Sequence, residues 1–177
     1  MNDPRELFLH ELGDILYAER TLVKALPKMA KEATESTLRD AFEKHLGETE
    51  HHVTNIEKAF ELVGEPAKAE KCPGIDGIKK EHDEFVTKED PSRDVLDMFL
   101  TGAAARTEHY EIAAYTGLIT MAKALGEADA AGLLSENLTQ EKAALVPESR
   151  ASVYSMPRRP NGRRSCAPRC LFSGGPN

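Results

Sequence analysis

Phe42-Glu43-Lys44-His45-Leu46-Gly47-Glu48-Thr49-Glu50-His51-His52-Val53 is the stretch on which the reading of the fold turns. At about 100° per residue it is helical, and it sets His45, Glu48 and His52 along one side. The apolar stripe of this helix is Leu38, Phe42, Thr49, Val53, Ile56, Phe60 and Val63. His45 and His52 fall inside the stripe, and Glu48 sits at its edge, one turn from each. Imidazole and carboxylate turned toward a core are costly unless something binds them. His51 points away, although Glu48 to His51 has the Glu-x-x-His spacing of carboxylate-bridged metal sites. Phase therefore favours His52 as the metal-facing imidazole, with His45 behind it, while spacing favours His51. Two hydrogen-bonded core histidines are the plainer alternative.

Outward from this helix, the same question recurs. Upstream, Asp3-Pro4-Arg5-Glu6 supplies a capping acid, a proline in the first turn and a glutamate three residues on, which predicts a helix start. Phe8, Leu12, Ile15, Leu16, Leu22, Val23 and Leu26 continue it to about Glu32, with Pro27 as a kink rather than a stop. Glu19 interrupts that apolar stripe. Its plain alternative is a stripe-edge carboxylate paired to Arg or Lys.

Downstream, Gly64 and Pro66 end the second helix, and residues 67–90 form a connector with Ile75, Ile78, Phe85 and Val86 at amphipathic spacing. The connector is long enough to cross a bundle, so the helices it joins can run parallel. Cys72 reads as a loop thiol. A third bundle helix starts at Asp90-Pro91-Ser92-Arg93-Asp94 and carries Val95, Leu96, Phe99, Leu100, Ala103, Ala104, Thr107, Ala114, Leu118 and Met121. Its small residues, Gly102 and Gly117 among them, allow close helix approach. Glu111 lies mid-stripe, Glu108 at the edge, and His109 points away. After Gly126 a fourth helix returns antiparallel with Ala130, Leu133, Leu134, Asn137 and Leu138, and Glu141 falls at the centre of its stripe. Glu136 points elsewhere.

The pattern predicts an all-α four-helix bundle over residues 1–145, with a long helical connector between its second and third helices. One acid per helix (Glu19, Glu48, Glu108 or Glu111, Glu141) plus an imidazole is the donor set of a dimetal carboxylate site. Hard carboxylate oxygens bridge two cations, and imidazole completes the coordination of Fe or Mn.

Composition sets limits. The net charge of −7 argues against nucleic acid as a partner, since phosphate binding needs clustered Lys and Arg. No run of about 18 apolar residues occurs, and the start of the chain has no signal-peptide pattern. With three Cys and no disulfide framework, a cytoplasmic location follows as an expectation. Residues 146–177 differ in kind, with six Arg, no Lys, one acid and five of the ten Pro. Val146-Pro147 stops the last helix, and the segment reads as a disordered tail foreign to the bundle. Its arginines are the one place where a nucleic-acid contact could form. Cys166 and Cys170 lack companion ligands for a metal.

Over residues 5–144 the sequence resembles the YciE/YciF family of ferritin-like, stress-associated proteins. The resemblance rests on Glu6-Leu7-Phe8-Leu9-His10-Glu11-Leu12, Tyr17-Ala18-Glu19, His45-Leu46-Gly47-Glu48-Thr49, Glu108-His109-Tyr110-Glu111-Ile112-Ala113-Ala114-Tyr115, and Glu141-Lys142-Ala143-Ala144. It implies a rubrerythrin-like bundle, a homodimer, and a non-haem dimetal site of two Fe or Mn ions. By it the ligands are Glu19, Glu48, Glu108, Glu111 and Glu141, with His52 from the helical phase and His51 from the rubrerythrin-like pattern. It implies reaction with O2 or peroxide in a stress response, with Tyr110 and Tyr115 either packing or exchanging electrons. The other reading is a dimeric structural or interaction bundle without catalysis. Members of the family continue the last helix further, often with an acid near position 145. Here Leu145 and Pro147 intervene, which predicts uncovered apolar surface worth on the order of 5 kcal/mol.

Overall fold

The computed structural model describes residues 1–145, so the expectations for residues 146–177 lie outside the described residues. The described residues form five helices and no strand: α1 (Pro4–Glu32), α2 (Ser36–Leu62), α3 (Pro73–Lys88), α4 (Arg93–Ala124) and α5 (Ala128–Ala144).

The local signals explain the boundaries. Asp3 caps α1, its carboxylate accepting the Arg5 N–H at 2.9 Å, and Pro4 sits where a missing donor costs nothing. Pro27 lies inside α1, which runs through it to Glu32. Gly64 and Gly126 close α2 and α4 with positive φ, the conformation glycine adopts without strain. Cys72 caps α3, its sulfur accepting the Ile75 N–H at 3.4 Å, so the expected loop thiol is a buried capping residue.

Cross-helix pairs set the topology. Arg5 at the start of α1 donates to Glu127 just before α5 at 2.9 Å, while the backbone N–H of Thr34 beyond α1 donates to Asp97 in the first turns of α4 at 2.8 Å. Thus α1 and α4 run antiparallel. His52 meets Gln140 and Asn55 meets Asn137, so α2 and α5 are antiparallel as well. With short turns at residues 33–35 and 125–127, α2 and α4 run parallel, joined by the connector that contains α3. Phe8, Leu12, Ile15, Leu16, Ile56, Leu100, Tyr115, Leu118 and Leu134 are buried in the shared core.

Two local expectations are corrected. Val95 is 46 % exposed, and Asp97 is buried in its place. Asp97 accepts from the backbone N–H groups of Thr34 and Glu35 and from the Thr34 hydroxyl, and so ties the α1–α2 turn to α4. Polar anchoring of a turn overrides the apolar rhythm there. A Cβ at Gly117 would meet nothing within 4 Å, and one at Gly102 only the Arg106 side chain. The close approaches fall instead at Gly13, where a Cβ would lie 2.7 Å from the Lys68 carbonyl, and at Gly74, where it would meet the Tyr110 ring at 2.7 Å. Both glycines let the connector lie flat against the bundle. α4 begins at Arg93, after Ser92, within the stretch expected to start it.

Candidate metal centre

The centre forms where the four bundle helices bring polar residues to one level. Glu19 (α1), His52 (α2), Glu111 (α4) and Glu141 (α5) are each fully buried. Two groups of donor atoms converge among the described residues: Glu19, His52 and Glu141, and His45, Glu111 and Glu141. Within each group one donor atom per residue lies within 4.8 Å of the others. Glu141 belongs to both, as a bridging carboxylate does.

The hydrogen bonding is uneven. His52 Nε2 and Gln140 Oε1 are 2.8 Å apart, so with the amide oxygen facing the ring the N–H donates to Gln140 and Nδ1 is left toward the acids. Nδ1 lies 3.1 Å from Glu141 Oε1 and 3.3 Å from Glu19 Oε1, yet makes no aligned hydrogen bond to either. Tyr115 donates to Glu19 Oε1. Asn137 Nδ2 donates to Tyr115 Oη at 3.0 Å and to the His52 carbonyl at 3.3 Å, and its Oδ1 accepts from Asn55 at 2.8 Å. That network fixes one side of the centre. Glu19 Oε2 and both carboxylate oxygens of Glu111 and of Glu141 are buried without a hydrogen-bond partner, as is Thr49 Oγ1. His45 Nδ1 stands 3.5 Å from Glu48 Oε2 without hydrogen-bonding geometry.

Burial drives Glu111 well above the ordinary carboxylate range, and the neighbouring Glu19, Glu141 and Glu108 push it further. Burial also raises Glu19, opposed by His52. For His52, burial disfavours the charged ring, but Glu141 and Glu19 outweigh it and hold its pKa up to about 10. The imidazolium is then the counter-ion of the Glu19–Glu141 pair. A metal cation in that place would do the same with greater charge.

Of the residues expected as ligands, the fold brings Glu19, His52, Glu111 and Glu141 together. Glu48 lies at the edge: His45 and Lys44, the latter 2.7 Å away, hold its pKa down to about 2. Glu108 is buried one turn from Glu111 but outside both donor groups. His51 and His109 are exposed, as their phase predicts. His45, expected behind His52, stands as a donor in the second group. Gln140, Asn137, Asn55 and the acceptor role of Glu19 toward Tyr115 went unread. Their signal was available: Asn55 is three residues from His52, Asn137 four from Glu141, and Tyr115 four from Glu111, all in register with the acids.

Cys72 and Tyr110 form a separate cluster. The Tyr110 hydroxyl donates to Asp14 at 2.9 Å, and so accepts from the Cys72 thiol at 2.8 Å. Burial raises both pKa values, with Asp14 adding to each, so the thiol is an inert capping group.

A bundle that turns acids and imidazoles from four helices into one dry level belongs to the class of carboxylate-centred helical bundles. The chain is a member of the family described as Domain of unknown function (DUF892), whose model matches residues 3–146. It is 37% identical over 144 residues to Protein YciF of Escherichia coli strain K12, covering 81% of this chain and 86% of that one. The crystal structure of that E. coli stress protein superposes with a TM-score of 0.77 at 36% identity, over 81% of this chain and 91% of the other. YcfI from Rhodopseudomonas palustris, whose description proposes a structural role, matches at 37% identity with a TM-score of 0.79, over 89% of this chain and 96% of that one. No helix among the described residues is long and apolar enough to cross a membrane.

Proposed function

We propose that the chain is a dimetal carboxylate protein of the stress response, holding two Fe or Mn ions and working as a cytoplasmic homodimer. The observation that carries this reading is the set of buried, unpartnered donor atoms on Glu19, His52, Glu111 and Glu141, aimed at one another from four helices. Buried polar atoms in native proteins are almost always satisfied, and such a concentration of orphans supports a bound ion at this level. The donor chemistry, carboxylate with imidazole, suits Fe or Mn. Glu19, His52 and Glu141 would hold one ion, and Glu111, Glu141 and His45 the other, with Glu48 and Glu108 near enough to the edge to join after a rotamer change. The stress role follows the description of the E. coli relative.

When bound, the pair supplies electrons and Lewis acidity toward O2 or a peroxide. The chain's own residues set the conditions. Gln140 fixes which His52 nitrogen faces the acids, Tyr115 orients Glu19, and the surrounding Ile15, Leu16, Ile56 and Leu134 exclude water. Anaerobic reconstitution with ferrous iron, followed by elemental analysis and absorption spectra before and after peroxide, tests the reading. About two ions per chain and a spectral change on oxidation are expected. Trace metal after reconstitution would overturn it.

A second reading has its own observation. The contacts of His52 with Glu19 and Glu141 balance charge without a metal. In that case the chain is a structural bundle, in line with the role proposed for the Rhodopseudomonas relative, and metal content stays at trace.

A further inference from the structure

The outer side of α4 serves neither the core nor the connector. Val95, Met98, Ala105, His109, Ile112 and Thr116 recur every three or four residues. At about 100° per residue they form one row along the helix. The row lies opposite Leu100, Glu111 and Leu118, which α4 turns to the core. It is also clear of α3, which with its cap Cys72 meets α4 at Phe99, Arg106 and Tyr110. Val95 and Met98 are among the few large apolar side chains that stand exposed.

The row is free of charge. From Val95 to Thr120 the outer side of α4 carries no acid and no lysine, whereas that of α2 carries Glu43, Lys44, Glu50, Lys58 and Glu61. Arg106 turns to α3 and pairs with Glu81 at 3.3 Å. In a chain of which 30% is charged, an outer face kept clear for about seven turns is not an ordinary solvated one. Contiguous faces of this kind mark interaction surfaces. The polar groups of this face are already bonded within the helix. The Thr116 hydroxyl donates to the Ile112 carbonyl at 2.7 Å and the Thr120 hydroxyl to the Thr116 carbonyl at 2.9 Å. His109, with its ring N–H at Nδ1, donates to the Ala105 carbonyl at 2.7 Å. A covering surface leaves none of these donors unmet. Gly102, which no other helix of this chain approaches, keeps the face flat beside Ala105, and small contact residues let helix axes come close.

Charge returns only at the two ends. Asp94 and Lys123 are about eight turns apart and so stand on the same side of α4. Both are exposed, and among the described residues neither has an ion pair. Against an antiparallel copy of the same helix, each Asp94 meets the partner's Lys123. A parallel copy would set like charge against like, which is penalised.

We propose that this face binds the same face of a second copy, α4 lying antiparallel on α4 about a two-fold axis near His109. Such a contact closes on itself: Met98 faces the partner's Thr120, and Gly102 faces the partner's Thr116. That the chain dimerises rests on the reading above. Which face does so, and in which direction, rests on α4.

The test is sedimentation of the full-length chain over a concentration series at low salt, with helicity and metal content measured on the same samples. A dimer is expected. Ala105→Glu and Thr116→Glu, which set like charges facing each other near the axis, should each raise its dissociation constant at least about tenfold with helicity unchanged. Leu62→Glu puts the same charge on an exposed apolar residue at the end of α2 and should leave the dimer as it is. Asp94→Lys and Lys123→Asp should each weaken it by up to about tenfold, and the double variant should recover the wild-type value. A dimer that survives both Ala105→Glu and Thr116→Glu, or that Leu62→Glu dissociates instead, overturns the face and leaves the dimer standing. No recovery in the double variant overturns the antiparallel pairing. A wild-type chain that stays monomeric overturns the face and the dimer together, while the metal content of the same samples still decides the metal pair.

Discussion

The two donor groups of the centre share Glu141 and the same residue types, yet they are built differently. Around Glu19 and His52 the neighbours are polar and bonded: Tyr115, Asn137, Asn55 and Gln140 fix each group in turn. Around Glu111 there is no such scaffold. Both its oxygens are buried and unpartnered, and the second group stands beside a cavity lined in part by His45 and Glu108. The difference follows from where α5 stops. On the Tyr115 side α5 is present and supplies Asn137 and Gln140. On the other side α5 ends at Ala144, which with Ala143 lines the cavity. On the reading proposed above, the first position would be held by fixed neighbours and the second left adaptable, beside the cavity that His45 and Glu108 line.

The largest test of this contrast removes what the two halves share. Glu141→Ala should reduce both ions to trace levels in reconstituted protein, read by elemental analysis. Retention of one full equivalent would mean that Glu141 does not bridge, and the two halves would then be independent sites.

Glu111→Leu probes the adaptable half alone. It should remove one metal equivalent and leave the other. In chelator the same change should stabilise the protein by about 1–3 kcal/mol, since it deletes two buried orphan oxygens. The pH dependence has a definite sign. The folded pKa of Glu111 lies above its unfolded value, so between the two the folded state holds a proton that the unfolded state releases. Wild-type stability therefore falls as pH rises above the ordinary carboxylate range. The gain in Tm from Glu111→Leu should be small near pH 4 and widen toward neutrality. A constant difference across that range would mean that Glu111 ionises normally and that its burial is not what the packing indicates.

Gln140→Leu probes the preorganised half. Its amide oxygen sets the His52 ring, and losing such a partner typically costs a site 10–100-fold in metal affinity. About tenfold weaker binding of one ion, with the second unaffected, is expected from competition with a chelator. Equal weakening of both would show that the two halves are mechanically coupled rather than separately built.

How much of this was legible in the sequence follows from the same contrast. Helical phase alone placed Glu19, His52, Glu111 and Glu141 inside, because a carboxylate at the centre of an apolar stripe has nowhere else to point. The long connector, the crossover and the parallel pairing of α2 with α4 followed from connector length and two glycine stops. The supporting network was harder to read. Asn55, Asn137 and Tyr115 look like ordinary polar and aromatic stripe residues until partners from other helices are known. Glu48 showed the opposite limit. Its stripe-edge position left it within reach of Lys44, and an intrahelical ion pair holds it outside both donor groups. Asp97 escaped because its partners are backbone donors in a turn more than sixty residues away, which no periodicity encodes.

The smallest effect belongs to the residue that spacing alone would have chosen. Glu48 to His51 has the Glu-x-x-His interval, yet His51 is exposed on the outer face of α2 and His52 is fully buried among the acids. One residue along a helix turns a side chain by about 100°, enough to exchange the core for solvent. His51→Ala should therefore leave metal content unchanged and shift stability by no more than about 0.5 kcal/mol, as exposed substitutions do. Loss of a metal equivalent in His51→Ala would require α2 to rotate by about a quarter turn on metal binding, carrying His52 out of the core. That rotation would break the His52–Gln140 bond and the Asn55–Asn137 pair together. The polar network would then be a feature of the metal-free state rather than a scaffold for the ion, and the contrast between the two halves would have to be redrawn from the metal-loaded form.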